Sequence, residues 1–216
     1  MLARNVYWKP VMMKNRLERL LEEKAPGPYP SFSVVHIIKA LELMAVKGPI
    51  GRGRLSGELN IGEGATRTLI NRLKNADLIT ASKLGCSLTK KGRELWSELH
   101  AIFPQKTALK KSKLTVAAYN IAILVKGHGQ KVGSGMAQRD AAIMVGAKGA
   151  TTLVFKNRKL VLPGVSKDIA ADFPTAYNQI AKLKPEENDA LVIGSADTPR
   201  KAEEGALAAT WTLINN

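Results

Sequence analysis

Residues Pro49–Thr89 read PIGRGRLSGELNIGEGATRTLINRLKNADLITASKLGCSLT, and the order of signals in this stretch decides the fold of the first half of the chain. Arg54–Leu59 predicts a short helix with Leu55 and Leu59 inward. Asn60-Ile61-Gly62-Glu63 follows as a turn, because Asn60 and Gly62 tolerate the left-handed backbone that a tight turn requires. Gly64–Asp77 then carries Leu69, Ile70 and Leu73 at helical spacing, with Arg67, Thr68, Asn71, Arg72 and Lys74 expected on the outer side. Leu78–Ser82 and Cys86–Leu88 are two short strand patterns joined through Lys83-Leu84-Gly85. Thr66 stands where an aliphatic residue is usual; its methyl can pack while its hydroxyl bonds a preceding carbonyl.

Helix, turn, helix, hairpin is the order of a winged helix-turn-helix, whose second helix usually enters the DNA major groove. Working outward, Val11–Lys24 has a leucine face, the proline-rich APGPYPS at 25–31 stops it, and Ser31 or Ser33 caps a helix running to about Lys47. The core face of that helix is expected at Val34, Ile37, Ile38, Leu41, Met44 and Ala45. Thr89 caps a further helix that ends near Phe103.

Charge agrees with a polyanionic partner. The 216 residues carry 33 Lys+Arg against 18 Asp+Glu, a formal net charge of +15. Residues 1–113 hold 21 basic and 9 acidic side chains, a net +12; residues 114–216 hold 12 and 9, a net +3. Clustered positive charge binds polyanions by releasing their counterions. A single cysteine excludes an intrachain disulfide framework, no apolar run has the length of a membrane span, and MLARNVYWKP lacks the apolar core of a secretory signal. The expectation is a cytoplasmic protein with no membrane partner.

The domain reading is 1–103 for the winged helix with its N-terminal helix, 104–113 (PQKTALKKSK) as a basic linker, and 114–216 as a C-terminal domain. In that second half, Leu114–Val125 is a strand pattern, 126–136 a glycine-rich loop, and Ala137–Val145 a helix. Thr151–Phe155 and Lys159–Leu162 form a hairpin, Ile169–Leu183 a helix broken near Pro174, Ala190–Ile193 a strand, and Pro199 opens a last helix. The order β-α-β-β-α-β-α predicts a sandwich-like α/β domain, so the whole chain is of α+β class.

In the DNA-reading set, Arg67, Thr68, Asn71 and Arg72 are suited to base edges, since arginine and asparagine form paired hydrogen bonds with guanine and adenine. Arg52, Arg54, Lys74 and Lys83 are suited to phosphate. In the C-terminal half, Gly133, Ser134, Gly135, Gln138, Arg139 and Asp140, with Ser195 and Asp197 at a second strand-to-helix turn, are the residues that could hold a small-molecule effector. The glycine loop matches neither the P-loop nor the dinucleotide fingerprint. No cofactor, metal-ligand spacing or catalytic triad is evident, so the chain is not expected to be an enzyme.

LSGELNIGEGATRTLINRLKNADLI followed by GCSLTKKGREL resembles the winged helix of archaeal transcriptional regulators. GSGMAQRDAAIMVGAKGATTL followed by LPG resembles the uncharacterised C-terminal domain that accompanies it in one such family, and the resemblance extends from about Leu17 to Ile214. It implies a double-stranded-DNA-binding regulator, with Arg67, Thr68, Asn71 and Arg72 at recognition-helix positions; it names no ligand for the C-terminal domain, which is expected to sense a small molecule or to dimerise. A homodimer is expected because symmetric operators are read by two-fold proteins; helices 11–24 and 89–103 are its candidate interface elements. Two other classes stay open: a metabolic enzyme fused to a winged helix, and an RNA- or protein-binding winged helix.

Overall fold

The computed structural model describes residues 8–22 and 31–215, so the N-terminal arm and the proline-rich segment fall largely outside the described residues. The chain divides into two compact units, the first ending at Leu99 and the second beginning at His100. It is a mixed α+β protein with an N-terminal helical domain and a C-terminal sheet domain.

In the first unit, α1 (Trp8–Arg19) and α2 (Val34–Lys47) precede α3 (Arg52–Leu59), α4 (Glu63–Asn75), the hairpin β1 (Ile79–Ser82) and β2 (Gly85–Leu88), and α5 (Lys90–Ile102). The apolar side chains predicted to point inward from α3 and α4 do so: Leu55, Leu59, Leu69 and Leu73 are fully buried, as are Leu17, Ile37, Leu41, Leu95 and Leu99. On α2 the buried face is turned slightly from the expected one, with Val35 inside in place of Val34, and Ala45 exposed. Asn60 ends α3 in the left-handed region at φ 53°. Thr66 is buried and its hydroxyl donates to the Gly62 carbonyl at 3.1 Å, so it packs as a small apolar residue while meeting its own polar need. Thr89 Oγ1 accepts from the Gly92 amide at 3.0 Å and starts α5.

The hairpin pairs Ile79 with Leu88 and Ser82 with Gly85, leaving Lys83 and Leu84 at its tip. Ile50 bridges Cys86 on its other side. Gly85 has φ +121°, and a Cβ there would lie 2.6 Å from the Ile50 carbonyl carbon, so glycine is what lets this third segment close on the wing.

The second unit is one five-stranded antiparallel sheet in the order β3-β4-β7-β5-β6, with helices on both faces. Its strands are β3 (Gln105–Leu109), β4 (Tyr119–Val125), β5 (Gly149–Lys156), β6 (Lys159–Val161) and β7 (Ala190–Ala196). Asn157 and Arg158 turn the β5–β6 hairpin with φ 53° and 61°, the twist that suits a two-residue hairpin. The helices α6 (Met136–Met144) and α9 (Pro199–Asn215) pack on one face. Gly194 makes this possible, because a Cβ there would stand 2.3 Å from the Ala202 carbonyl oxygen of α9. On the other face, α7 (Ile169–Asp172) and α8 (Pro174–Ile180), broken at Pro174 as expected, cover a core of Leu124, Leu153, Leu191, Ile193, Ile169 and Ile180.

Two sequence expectations give way here. The stretch 104–113 is not simply a linker: Gln105–Leu109 is the edge strand β3, paired in register with Leu124–Asn120 of β4. Its lysines concealed a strand because an edge strand needs apolar cover on one side only; Leu109 packs against the core while Lys106 pairs with Glu203 of α9. The next strand begins at Tyr119 rather than Leu114. Thr115 Oγ1 accepts from the Ser112 amide at 2.9 Å and holds a turn where apolar composition predicted extension.

Candidate nucleic-acid interface

Helix α4 presents two unlike sides. Thr66, Leu69, Ile70 and Leu73 are buried, while Arg67, Thr68, Asn71, Lys74 and Asn75 are exposed. Among the described residues, Arg67 and Asn71 have no side-chain hydrogen bond or ion pair. Thr68 folds back instead, donating from Oγ1 to the Gly64 carbonyl at 3.2 Å, which leaves its second lone pair and methyl outward. Gly62 caps the helix N-terminus in extended geometry with no side chain over it, so the free amides of the first turn face solvent.

Arg72 departs from the expected base-reading role. It is half-buried, and its Nη1 donates to the Leu20 carbonyl at 2.8 Å while the guanidinium lies 5.5 Å from the centre of the Phe32 ring. Helical phase explains this. Arg72 follows the outward Asn71 by 100° and precedes the buried Leu73, so its long side chain turns into the seam with the N-terminal helix.

The remaining cations of the predicted set, Arg52, Arg54, Lys74 and Lys83, are all exposed. Arg52 is within 3.7 Å of Glu63 and Arg54 within 4.0 Å of Glu58, exposed pairs at the long end of ionic contact that are worth little in water. Glu58 also accepts from Lys47 Nζ at 2.7 Å, and this contact holds its carboxyl below the ordinary range. Lys83 is exposed at the hairpin tip beside Leu84, which is 79% exposed.

The residues expected to bind an effector are engaged within the fold. Gln138 is buried on the inner side of α6 and donates from Nε2 to Thr212 Oγ1 of α9 at 2.8 Å. Ser195 is buried and donates to Asn120 Oδ1 at 2.6 Å. Arg139 is paired with its neighbour Asp140 at 2.9 Å, and Asp197 with Lys148 at 3.0 Å. Gly133 and Gly135 adopt φ 59° and 81°, and Ser134 Oγ accepts from the Met136 amide, so this stretch shapes the start of α6. Upstream, the donors of the glycine loop are already occupied. The Gly127 amide reaches Asp189 Oδ1 at 2.9 Å, and the Gly129 and Gln130 amides reach the carbonyl and Oδ1 of Asn188 at 2.7 and 2.9 Å. Asp189, itself buried, also takes Lys126 Nζ at 2.8 Å. The loop is thus a clamp between strand ends rather than an anion cradle.

Among the described residues, no group of three His, Cys, Asp or Glu side chains could hold a metal ion, and no helix is long and apolar enough to cross a membrane.

Residues 37–94 match the PH0730-like N-terminal domain, and residues 116–213 match a domain of unknown function, DUF4443. No curated protein matches. Among solved structures, the hypothetical protein PH0730 from Pyrococcus horikoshii OT3, an archaeon, is similar at 29% identity with a TM-score of 0.65, over 86% of this chain and 94% of that one. The first unit is thus similar to the PH0730-like N-terminal domain and the second to DUF4443.

Proposed function

We propose that this protein is a sequence-specific DNA-binding transcriptional regulator acting as a homodimer, with the PH0730-like unit reading the duplex. The observation that carries the reading is the exposed side of α4. Arg67 and Asn71 are one helical turn apart, solvent-facing and uncommitted among the described residues, directly opposite a fully buried apolar side. A guanidinium and a carboxamide are the groups that read guanine and adenine by paired hydrogen bonds in the major groove. Lys74, Arg52, Arg54 and the wing residue Lys83 supply cations around them for phosphate. The first unit, residues 1–99, holds 17 basic and 9 acidic side chains, and this net +8 contributes to the long-range attraction.

Arg72 is not among the base readers in this proposal, and no effector is assigned to the residues near Gly133 or Ser195, which are engaged within the fold. The test is selection of bound duplexes from a random pool by the full-length protein at near-physiological salt. Enrichment of a defined, two-fold symmetric motif supports the proposal. Recovery of unenriched DNA, with affinity that collapses as salt rises, overturns it in favour of charge-driven binding alone.

A further inference from the structure

The sheet of the second unit ends on β3, and a helix borders that edge. A groove of about 900 Å³ lies between β3 with its flanks, Pro104–Lys110, and the segment carrying Thr175, Gln179, Lys182 and Leu183. Among the described strands, β3 pairs with β4 alone.

The ladder can be phased. A strand residue turns its N–H and carbonyl to one side, and its neighbour turns them to the other. The Phe155 amide donates to the Asp189 carbonyl at 2.9 Å, in line with the β5–β7 register, so odd-numbered β7 residues bond toward β5 and even-numbered ones toward β4. Carried through the β7–β4 and β4–β3 registers, this alternation points Gln105, Thr107 and Leu109 at β4 and turns Ala108 away from it. Two local facts agree. Pro104, which has no N–H to lose, stands at an outward position. The Lys110 amide, also outward, donates to Gln179 Oε1 at 2.8 Å, so a side-chain amide there occupies the place that the carbonyl of an added strand would take.

We propose that this edge binds an extended, acidic peptide segment of another protein as an additional strand. Lys106, Lys110 and Lys182 line the groove and no carboxylate does; the Lys106 ammonium is already paired with Glu203, so Lys110 and Lys182 supply the charge for an acidic strand. A strand edge offers donor and acceptor in alternation at Ala108, which another peptide backbone matches and the phosphates of a nucleic acid, acceptors only, do not. A second copy of β3 is disfavoured, because it would set Lys106, Lys110, Lys111 and Lys113 against their own equivalents. The inference does not depend on DNA reading by the first unit.

The test uses the full-length protein and a fluorescein-labelled seven-residue peptide of alternating Glu and Val, followed by anisotropy and by amide exchange. Saturable binding is expected, with new exchange protection at Ala108. Ala108→Pro removes an N–H that the internal ladder does not use, so it should leave the circular dichroism unchanged and weaken binding about tenfold. Lys182→Glu, at an exposed position, should weaken binding about threefold. A peptide of alternating Lys and Val should not bind. Absence of saturable binding, or binding unchanged in both variants, overturns the proposal, the latter by locating the peptide on the basic first unit. Displacement of the peptide by oligo-dT that Lys182→Glu abolishes would also overturn it, by making the groove a nucleic-acid site. If Ala108→Pro perturbs folding, exchange at Ala108 and Lys182→Glu decide the matter.

Discussion

Arg72 Nη1 donates to the Leu20 carbonyl at 2.8 Å, just past the end of α1, and so ties α4 to the N-terminal helix. The carbonyls at a helix end have no partner within the helix, and the guanidinium supplies one while stacking toward Phe32. Replacing Arg72 by Ala should therefore lower the free energy of unfolding by about 1–3 kcal/mol in a urea titration. Arg72→Lys should recover only part, because an ammonium cannot both stack and donate in the same plane. An Arg72→Ala protein as stable as the parent would return this residue to the exposed set.

Arg67 and Asn71 should behave in the opposite way. Each is exposed, so Arg67→Ala and Asn71→Ala should change stability by less than about 0.5 kcal/mol. On the selected duplex, each should cost about 1–3 kcal/mol of affinity and relax the preference at one base position. Lys74→Ala should instead weaken binding to all sequences and reduce the salt slope by about one. Competition binding across single-base variants of the site separates the two patterns. Uniform weakening by Arg67→Ala would reassign it to phosphate.

The Ser195 hydroxyl donates to Asn120 Oδ1 at 2.6 Å, and Asn120 Nδ2 in turn donates to the carbonyls of Ala117 and Ala118 at 3.2 and 3.3 Å. The group pins the turn before β4 to the end of β7. Ser195→Ala would strand a buried acceptor, so a loss of about 1–3 kcal/mol is expected. Chemical denaturation measures it, and no loss would mean that Ser195 is free for another role.

Burial pushes the His128 imidazole below its ordinary range, outweighing the hydrogen bond to the Lys126 carbonyl that favours the charged ring. Below the ordinary histidine range the unfolded chain then binds a proton that the folded chain resists. Stability is therefore retained above pH of about 6.5 and falls as pH drops from there toward the depressed folded value. The thermal midpoint should decline between pH 7 and pH 5.5, and His128→Asn should flatten the decline. An equal decline in the variant would assign it to other groups.

Much of the fold could be read locally. Leu55, Leu59, Leu69, Ile70 and Leu73 recur at helical spacing, Asn60 marks the left-handed turn, and Asn157-Arg158 marks the hairpin. Each of these depends only on residues a few positions apart, where periodicity and backbone preference act directly. The exposed positions of Arg67 and Asn71 were legible for the same reason. They lie near the middle of the polar arc, where no neighbour can claim them.

Side chains with more than one possible partner were settled by contacts distant in sequence. Arg72, at the border of that arc, was claimed by Leu20, 52 residues away. Ser195 was claimed by Asn120, 75 residues away, and Gln138 by Thr212, 74 away. The lysine-rich stretch after Pro104 became an edge strand because β4 offered an open ladder and α9 a carboxylate for Lys106. Local spacing suffices for the winged helix, for its outward basic side and for the order of elements in the sheet domain from β4 onward, but not for β3. The tertiary structure alone decided which polar groups remained available, because a hydrogen bond or ion pair depends on distance in space.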